Sequence, residues 1–200
     1  MTSVITGDII NSRNIKPQYW MPILKSVLNN YGLEPLQWEI YRGDSFQLEV
    51  PPKKALLAAI YIKACIRSIE GLDVRLAIGI GEKSYISEKI TASNGSVFIN
   101  SGECFENLKK SILAIKSPFP DFDIQMNLAF DLAQLTINRW TQKSAEIVKV
   151  SIENPNSTQK QMANMLHKTQ SSVSKSLKIA GFDEIMKMER YYRNQITKLC

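Results

Sequence analysis

The chain has 200 residues, a formal net charge of +6, 44% apolar residues and three cysteines. That length accommodates one large domain or two small ones, and the absence of low-complexity tracts or repeats excludes fibrous and solenoid classes. An odd set of cysteines (Cys65, Cys104 and Cys200) without metal-ligand spacing, beside a single histidine, argues against a disulfide framework or a zinc centre; with no signal-peptide layout or membrane-length apolar run, a cytoplasmic protein is expected.

Residues 3 to 10 read as a strand, with Asp8 near its C-terminal end, followed by a polar loop from Asn11 to Lys16. Trp20, Ile23, Leu24, Val27, Leu28 and Tyr31 recur at helical spacing, and Gly32 is the expected stop. Leu36 to Tyr41 and Ser45 to Val50 alternate as strands do, joined through Arg42-Gly43-Asp44 into a hairpin. Pro51 and Pro52 end it. Lys53 to Glu70 is apolar on most sides, the pattern of a well-buried helix, and Gly71 closes it. Asp73 to Gly81 alternates Val74, Leu76, Ile78 and Ile80 against Arg75, Ala77 and Gly79, which predicts a fourth strand.

The order is β-α-β-β-α-β, that of a ferredoxin-like sheet, so an α+β protein is expected. In that topology the first strand lies beside the third and antiparallel to it, which brings Asp8 next to Asp44. Glu82 to Gly95 predicts a loop or small hairpin, Phe98 to Ile115 another helix, and Met126 to Trp140 a helix connecting two domains. The predicted domains are residues 1–134, ferredoxin-like and palm-like, and residues 135–200, a small all-α unit.

Charge divides at the same place. Residues 1–134 hold 14 basic and 14 acidic side chains, whereas residues 135–200 hold 11 basic and 5 acidic, so the whole excess belongs to the tail. A basic surplus confined to one segment is the footprint of a polyanion-binding module, although lysines also decorate ordinary solvated helices. Within the tail, Ser144 to Ile152 predicts a short helix, and Thr158 to Ala180 reads as two helices around a tight turn. Met162, Ala163 and Leu166 form the apolar face of the first, and Val173, Leu177 and Ala180 that of the second.

This is the pattern of a helix-turn-helix, in which the second helix enters the major groove of double-stranded DNA; a helical hairpin closing a core has the same pattern. On the DNA reading, Gln170, Ser171, Ser172 and Ser174 contact bases, and Lys168, Lys175 and Lys178 contact phosphates. His167 stands where such turns favour glycine, and Lys168 where an apolar residue is usual. The last helix, Phe182 to Leu199, carries Ile185, Met188, Tyr192, Ile196 and Leu199 along one side, either a homodimer face or the lid of the helical core.

Neighbouring carboxylates at a strand end repel unless a cation or protons separate them, and such oxygen ligands suit Mg²⁺, so Asp8 and Asp44 are the candidate metal ligands. The alternatives are an ordinary Gly43-Asp44 hairpin turn with Asp8 capping a loop, or neutralisation of both by Arg13 and Arg42. Thr-Gly-Asp-Ile (residues 6–9) and Tyr-Arg-Gly-Asp-Ser-Phe (residues 41–46) resemble the two metal-bearing motifs of nucleotidyl cyclase and GGDEF-type palm domains, and residues 75–82 resemble the strand that follows in class III cyclases. Together with the C-terminal helix-turn-helix, they identify the chain over most of its length as similar to the bacterial SatD family. The palm resemblance implies two metal ions and a bound triphosphate.

The sequence departs from it at Arg42 and Ser45, where a GGDEF domain has glycine and glutamate, and at Cys104, four residues after Asn100, where a cyclase has the arginine that stabilises the transferring phosphate. No residue matches the base-selecting pair. No catalytic residue is therefore assigned. The expected function is a DNA-binding transcriptional regulator, dimeric, with a palm-like sensor or assembly domain that holds Mg²⁺ and a nucleotide ligand at most. The alternative is a metal-dependent nucleotidyl-transfer or nucleotide-hydrolysing enzyme with a nucleic-acid-binding tail.

Overall fold

The structure, a computed structural model, describes residues 1–200. It is an α+β molecule of five strands and eight helices. The strands are β1 (Thr2–Ile10), β2 (Trp38–Tyr41), β3 (Ser45–Val50), β4 (Asp73–Gly81) and β5 (Leu113–Lys116). They form one sheet in the order β2-β3-β1-β4-β5, antiparallel except for the β4–β5 pair. β1 therefore lies between β3 and β4 and opposes both, as the element order predicts.

Alternation along the strands sorts the two faces. Ile5 and Ile9 of β1, Phe46, Leu48 and Val50 of β3, and Val74, Leu76, Ile78 and Ile80 of β4 enter the main core, where α1 (Met21–Asn29) and α2 (Ala55–Arg67) cover them. α2 is buried along almost its whole length, as its all-round apolar sequence requires. On the opposite face α3 (Ser96–Glu106) crosses β1 and β4 closely. It can do so because Gly79 faces it: a Cβ built there would lie 2.3 Å from the Ser101 backbone nitrogen.

Two sequence expectations are corrected in this half. The predicted helix from Phe98 to Ile115 is α3 followed by β5, which pairs in parallel with β4 from Leu113↔Leu76 to Lys116↔Gly79. Lys109, with φ 47°, turns the chain between them, and Leu113 and Ile115 then drop into the main core. A four-residue strand is too short for its alternation to stand out against a helical pattern. The helix expected from Met126 begins at Pro120 instead and forms α4 (Pro120–Ile137), with proline in its first turn and Asp121 and Asp123 beside the positive end of its dipole. Rather than bridging separate bodies, α4 packs Phe122, Met126 and Phe130 into the core beside β5.

The tail folds as α5 (Gln142–Glu153), α6 (Gln159–Met165), α7 (Gln170–Ile179) and α8 (Phe182–Leu199). The main core runs across residue 134: Trp140, Val148, Ile185, Tyr192 and Ile196 share it with the sheet and α2. Directed hydrogen bonds fix that docking. Tyr192 donates to the Pro52 carbonyl at 2.7 Å, the Trp140 indole to Ala180 at 2.9 Å, and the Arg67 guanidinium to Trp140 at 2.8 Å. The apolar side of α8 is thus consumed inside the chain. Of the two readings of that helix, the lid is correct and the dimer face is not, because Ile185, Tyr192 and Ile196 are all buried.

Candidate nucleic-acid interface

α5, α6 and α7 enclose a small core of their own, built from Ile147, Met162, Ala163 and Val173 with Val150, Leu166 and Leu177 at its edge. Ala163 and Val173 are where α6 and α7 meet. Both helices are capped by threonine: Thr158 accepts from the Gln161 N–H in a capping box, and Thr169 accepts from the Ser172 N–H. The turn between them is a Schellman closure. The His167 N–H donates to the Asn164 carbonyl at 3.2 Å and the Lys168 N–H to the Ala163 carbonyl at 2.9 Å, with His167 at φ 51°. The position that favours glycine thus has a left-handed backbone, held by histidine.

Gln170, Ser171, Ser172, Ser174, Lys175 and Lys178 are all exposed, and together they form the outer face of α7. No acidic residue occurs between Glu153 and Asp183, so the whole helix pair presents only positive or neutral side chains. Lys168 is the exception among the candidate contacts. Its ammonium is half-buried against Glu146 of α5, where an ion pair takes the place of the apolar contact usual at this position. It buttresses the turn instead of pointing toward a groove.

The second candidate region lies at the sheet corner where the end of β1 meets the starts of β3 and β4. Asp8 is opposite Ser45 on β3 and opposite Arg75 on β4, and the Ile9 N–H donates to the Asp44 carbonyl at 3.1 Å, so the two aspartates are neighbours across one strand pair. They line a cleft of about 520 Å³ with Asn11, Ser12, Arg13 and Arg75. Each carboxylate already has a partner. Arg75 donates to both oxygens of Asp8, at 2.9 and 2.5 Å, and Ser12 donates to Asp44 at 2.5 Å. The Arg75 guanidinium also lies 5.3 Å from the Phe105 ring centre, and its hydrogen bonds to Asp8 raise its pKa further.

The Asp8 and Asp44 set does not fit a Mg²⁺ site as it stands. A hard cation takes about six oxygen ligands, yet both Asp8 oxygens face a guanidinium. No third carboxylate, histidine or cysteine joins the pair in a potential metal cluster. On the alternative reading Arg13 and Arg42 neutralise both aspartates; Asp8 is instead paired with Arg75, and neither of the other two arginines forms an ion pair with an aspartate. The register accounts for it: β1 and β4 are both nine residues long, and pairing them end to end sets Asp8 against Arg75.

Asn100, which fits the cyclase pattern, and Cys104, which departs from it, both have structural roles here. The Asn100 side chain donates to the Ile80 carbonyl at 2.7 Å, fastening α3 to β4. Cys104 is buried against Ala77 and Leu108, and burial pushes its thiol pKa up to about 12, which keeps it protonated and unreactive at neutral pH. No helix is long and apolar enough to cross a membrane. No protein-family model matches this chain, and neither does any curated protein or solved structure.

Proposed function

We propose that the chain is a cytoplasmic, DNA-binding transcriptional regulator of the SatD kind, whose α7 reads a duplex and whose sheet is a ferredoxin-like, palm-type domain used for sensing or assembly. One observation carries the DNA reading: six polar or basic side chains of α7 face solvent on a helix pair that holds no acidic residue. The palm reading draws support from the strand order β2-β3-β1-β4 and from the placement of Asp8 and Asp44 beside one another. The Arg75 clamp on Asp8 favours a domain without metal-dependent turnover over a nucleotidyl-transfer enzyme. A ligand for such a sensor is anionic, a nucleotide in the first instance, because Arg13 borders both adjoining clefts at this corner and Lys16 and Arg42 border the second.

Fluorescence anisotropy with duplex DNA at several salt concentrations tests the main claim. Each phosphate contact contributes a slope of about −0.9 to log K against log salt, so the expected result is a steep fall in affinity. A flat response, or no binding at low salt, refutes DNA binding.

A further inference from the structure

We infer that α4 is the dimerisation helix of this protein, pairing antiparallel with α4 of a second copy. The helix is apolar on two sides. Its inner side, Phe122, Met126 and Phe130, is buried, while Ile124, Leu128, Leu132 and Leu135 on the outer side are 61 to 68% exposed. A helix apolar all round is ordinarily covered all round, and nothing in the chain covers this stripe.

The amount of surface points to a protein partner. The four outer side chains leave roughly 500 Å² of hydrocarbon facing water, near the upper end of the largest patch on a typical monomer. Exposed Ile179 and Tyr191 extend it along the edge that faces α7 and α8: Ile179 shares a groove with Leu132, and the Tyr191 hydroxyl donates to Gln125 of α4. With them the patch reaches roughly 700 Å², close to the ~800 Å² that each partner contributes to a standard interface.

Charge identifies the partner as a second copy. Asp121 stands in the first turn of α4 and Arg139 in the turn that follows its last residue, Ile137, so opposite charges bracket the stripe at its two ends. Both are exposed, and neither makes an ion pair within the chain. A two-fold axis near Phe130 sets Asp121 against the partner's Arg139, and Leu128 against the partner's Leu132, twice over. A parallel arrangement would instead bring like charges together at both ends. Asp131, which flanks the stripe, accepts hydrogen bonds from Ser111 and Gln134 of its own chain.

Sedimentation velocity and light scattering on the full chain test this, and they do so whether or not DNA is bound. The expected result is a dimer at micromolar concentration. Leu128→Glu with Leu132→Glu should give a monomer whose circular dichroism is unchanged, since neither side chain is buried inside its own chain, and whose melting temperature no longer depends on protein concentration. Asp121→Arg and Arg139→Asp should each weaken association by roughly tenfold, and their combination should restore it. A wild-type monomer overturns the proposal and leaves the stripe to some other protein. A dimer that survives both glutamates overturns the choice of face, and failure of the double charge reversal to restore association overturns the antiparallel register.

Discussion

Arg75 on β4 holds both carboxylate oxygens of Asp8 on β1, and this one contact decides what the corner of the sheet can do. Both side chains are only part-buried, with 36 and 21% of their surface exposed. The guanidinium supplies the positive charge that a divalent ion would otherwise bring, from a residue that the pairing of two nine-residue strands puts directly opposite. Arg75→Ala is expected to cost about 1–3 kcal/mol, because it leaves a half-buried carboxylate without a donor. It should also open Asp8 to divalent cations. In thermal melts, Mg²⁺ or Mn²⁺ should then raise the melting temperature of Arg75→Ala but not that of the wild type; equal shifts in both would mean that the clamp does not block the site.

On the proposed DNA-binding function, the lysines of the α6–α7 pair should divide into two kinds. Lys175 and Lys178 are exposed on α7, so replacing either with alanine should weaken binding to all DNA sequences alike and reduce the salt slope by about one each. Lys168 is tied to Glu146. Lys168→Ala should leave the salt slope unchanged and lower stability by about 0.5–1 kcal/mol, as expected for a partly exposed ion pair. Anisotropy titrations and urea unfolding of the three variants separate the two effects. A loss of slope in Lys168→Ala would place that lysine back on the phosphates.

Much of this architecture can be read from periodicity. β1, the β2–β3 hairpin, β4 and the α6–α7 pair each repeat their apolar residues often enough to declare a period, and the strand order follows from their sequence order. Other features were hidden for physical reasons. β5 is four residues long and lacks the hairpin turn that marks the equally short β2. The burial of α8 depends on which surface it meets, and an apolar stripe looks the same whether it faces α2 or a second chain. α4 has apolar residues on two sides, and which of them is left uncovered depends on the packing of distant elements around it. The Asp8–Arg75 contact spans 67 positions of sequence and becomes visible only once register is known.

The α6–α7 turn offers a local test of backbone geometry. His167 adopts φ 51°, a conformation that costs a non-glycine residue about 1 kcal/mol or more, while glycine gives back part of the gain through its freer unfolded chain. His167→Gly should therefore stabilise the protein by about 0.5–1 kcal/mol and leave DNA binding intact. His167→Val, branched at Cβ, should destabilise it by at least as much. Urea unfolding measures both; a loss of stability in the glycine variant would show that the histidine ring contributes something the backbone does not.

Glu189 gives the clearest pH dependence. It lies on α8 with only 2% of its surface exposed, and burial holds its carboxyl above the usual range, an effect that Arg193 and Arg190 only partly oppose. Its nearest ion-pair distance, 3.6 Å to Arg193, is long for a charge-assisted bond, which is why the arginine does not cancel the cost of burial. Because the folded pKa is the higher one, the folded state favours the protonated acid. The stability this group provides is complete below the unfolded carboxyl value of about 4.3 and declines as pH rises through the folded value. Glu189→Gln fixes the neutral form at every pH. The variant should accordingly match the wild type near pH 4 and exceed it at pH 7, the difference growing across the interval between. Urea unfolding of both proteins at a series of pH values measures this, and a wild type that is the more stable of the two at pH 7 would mean that Arg193 outweighs burial.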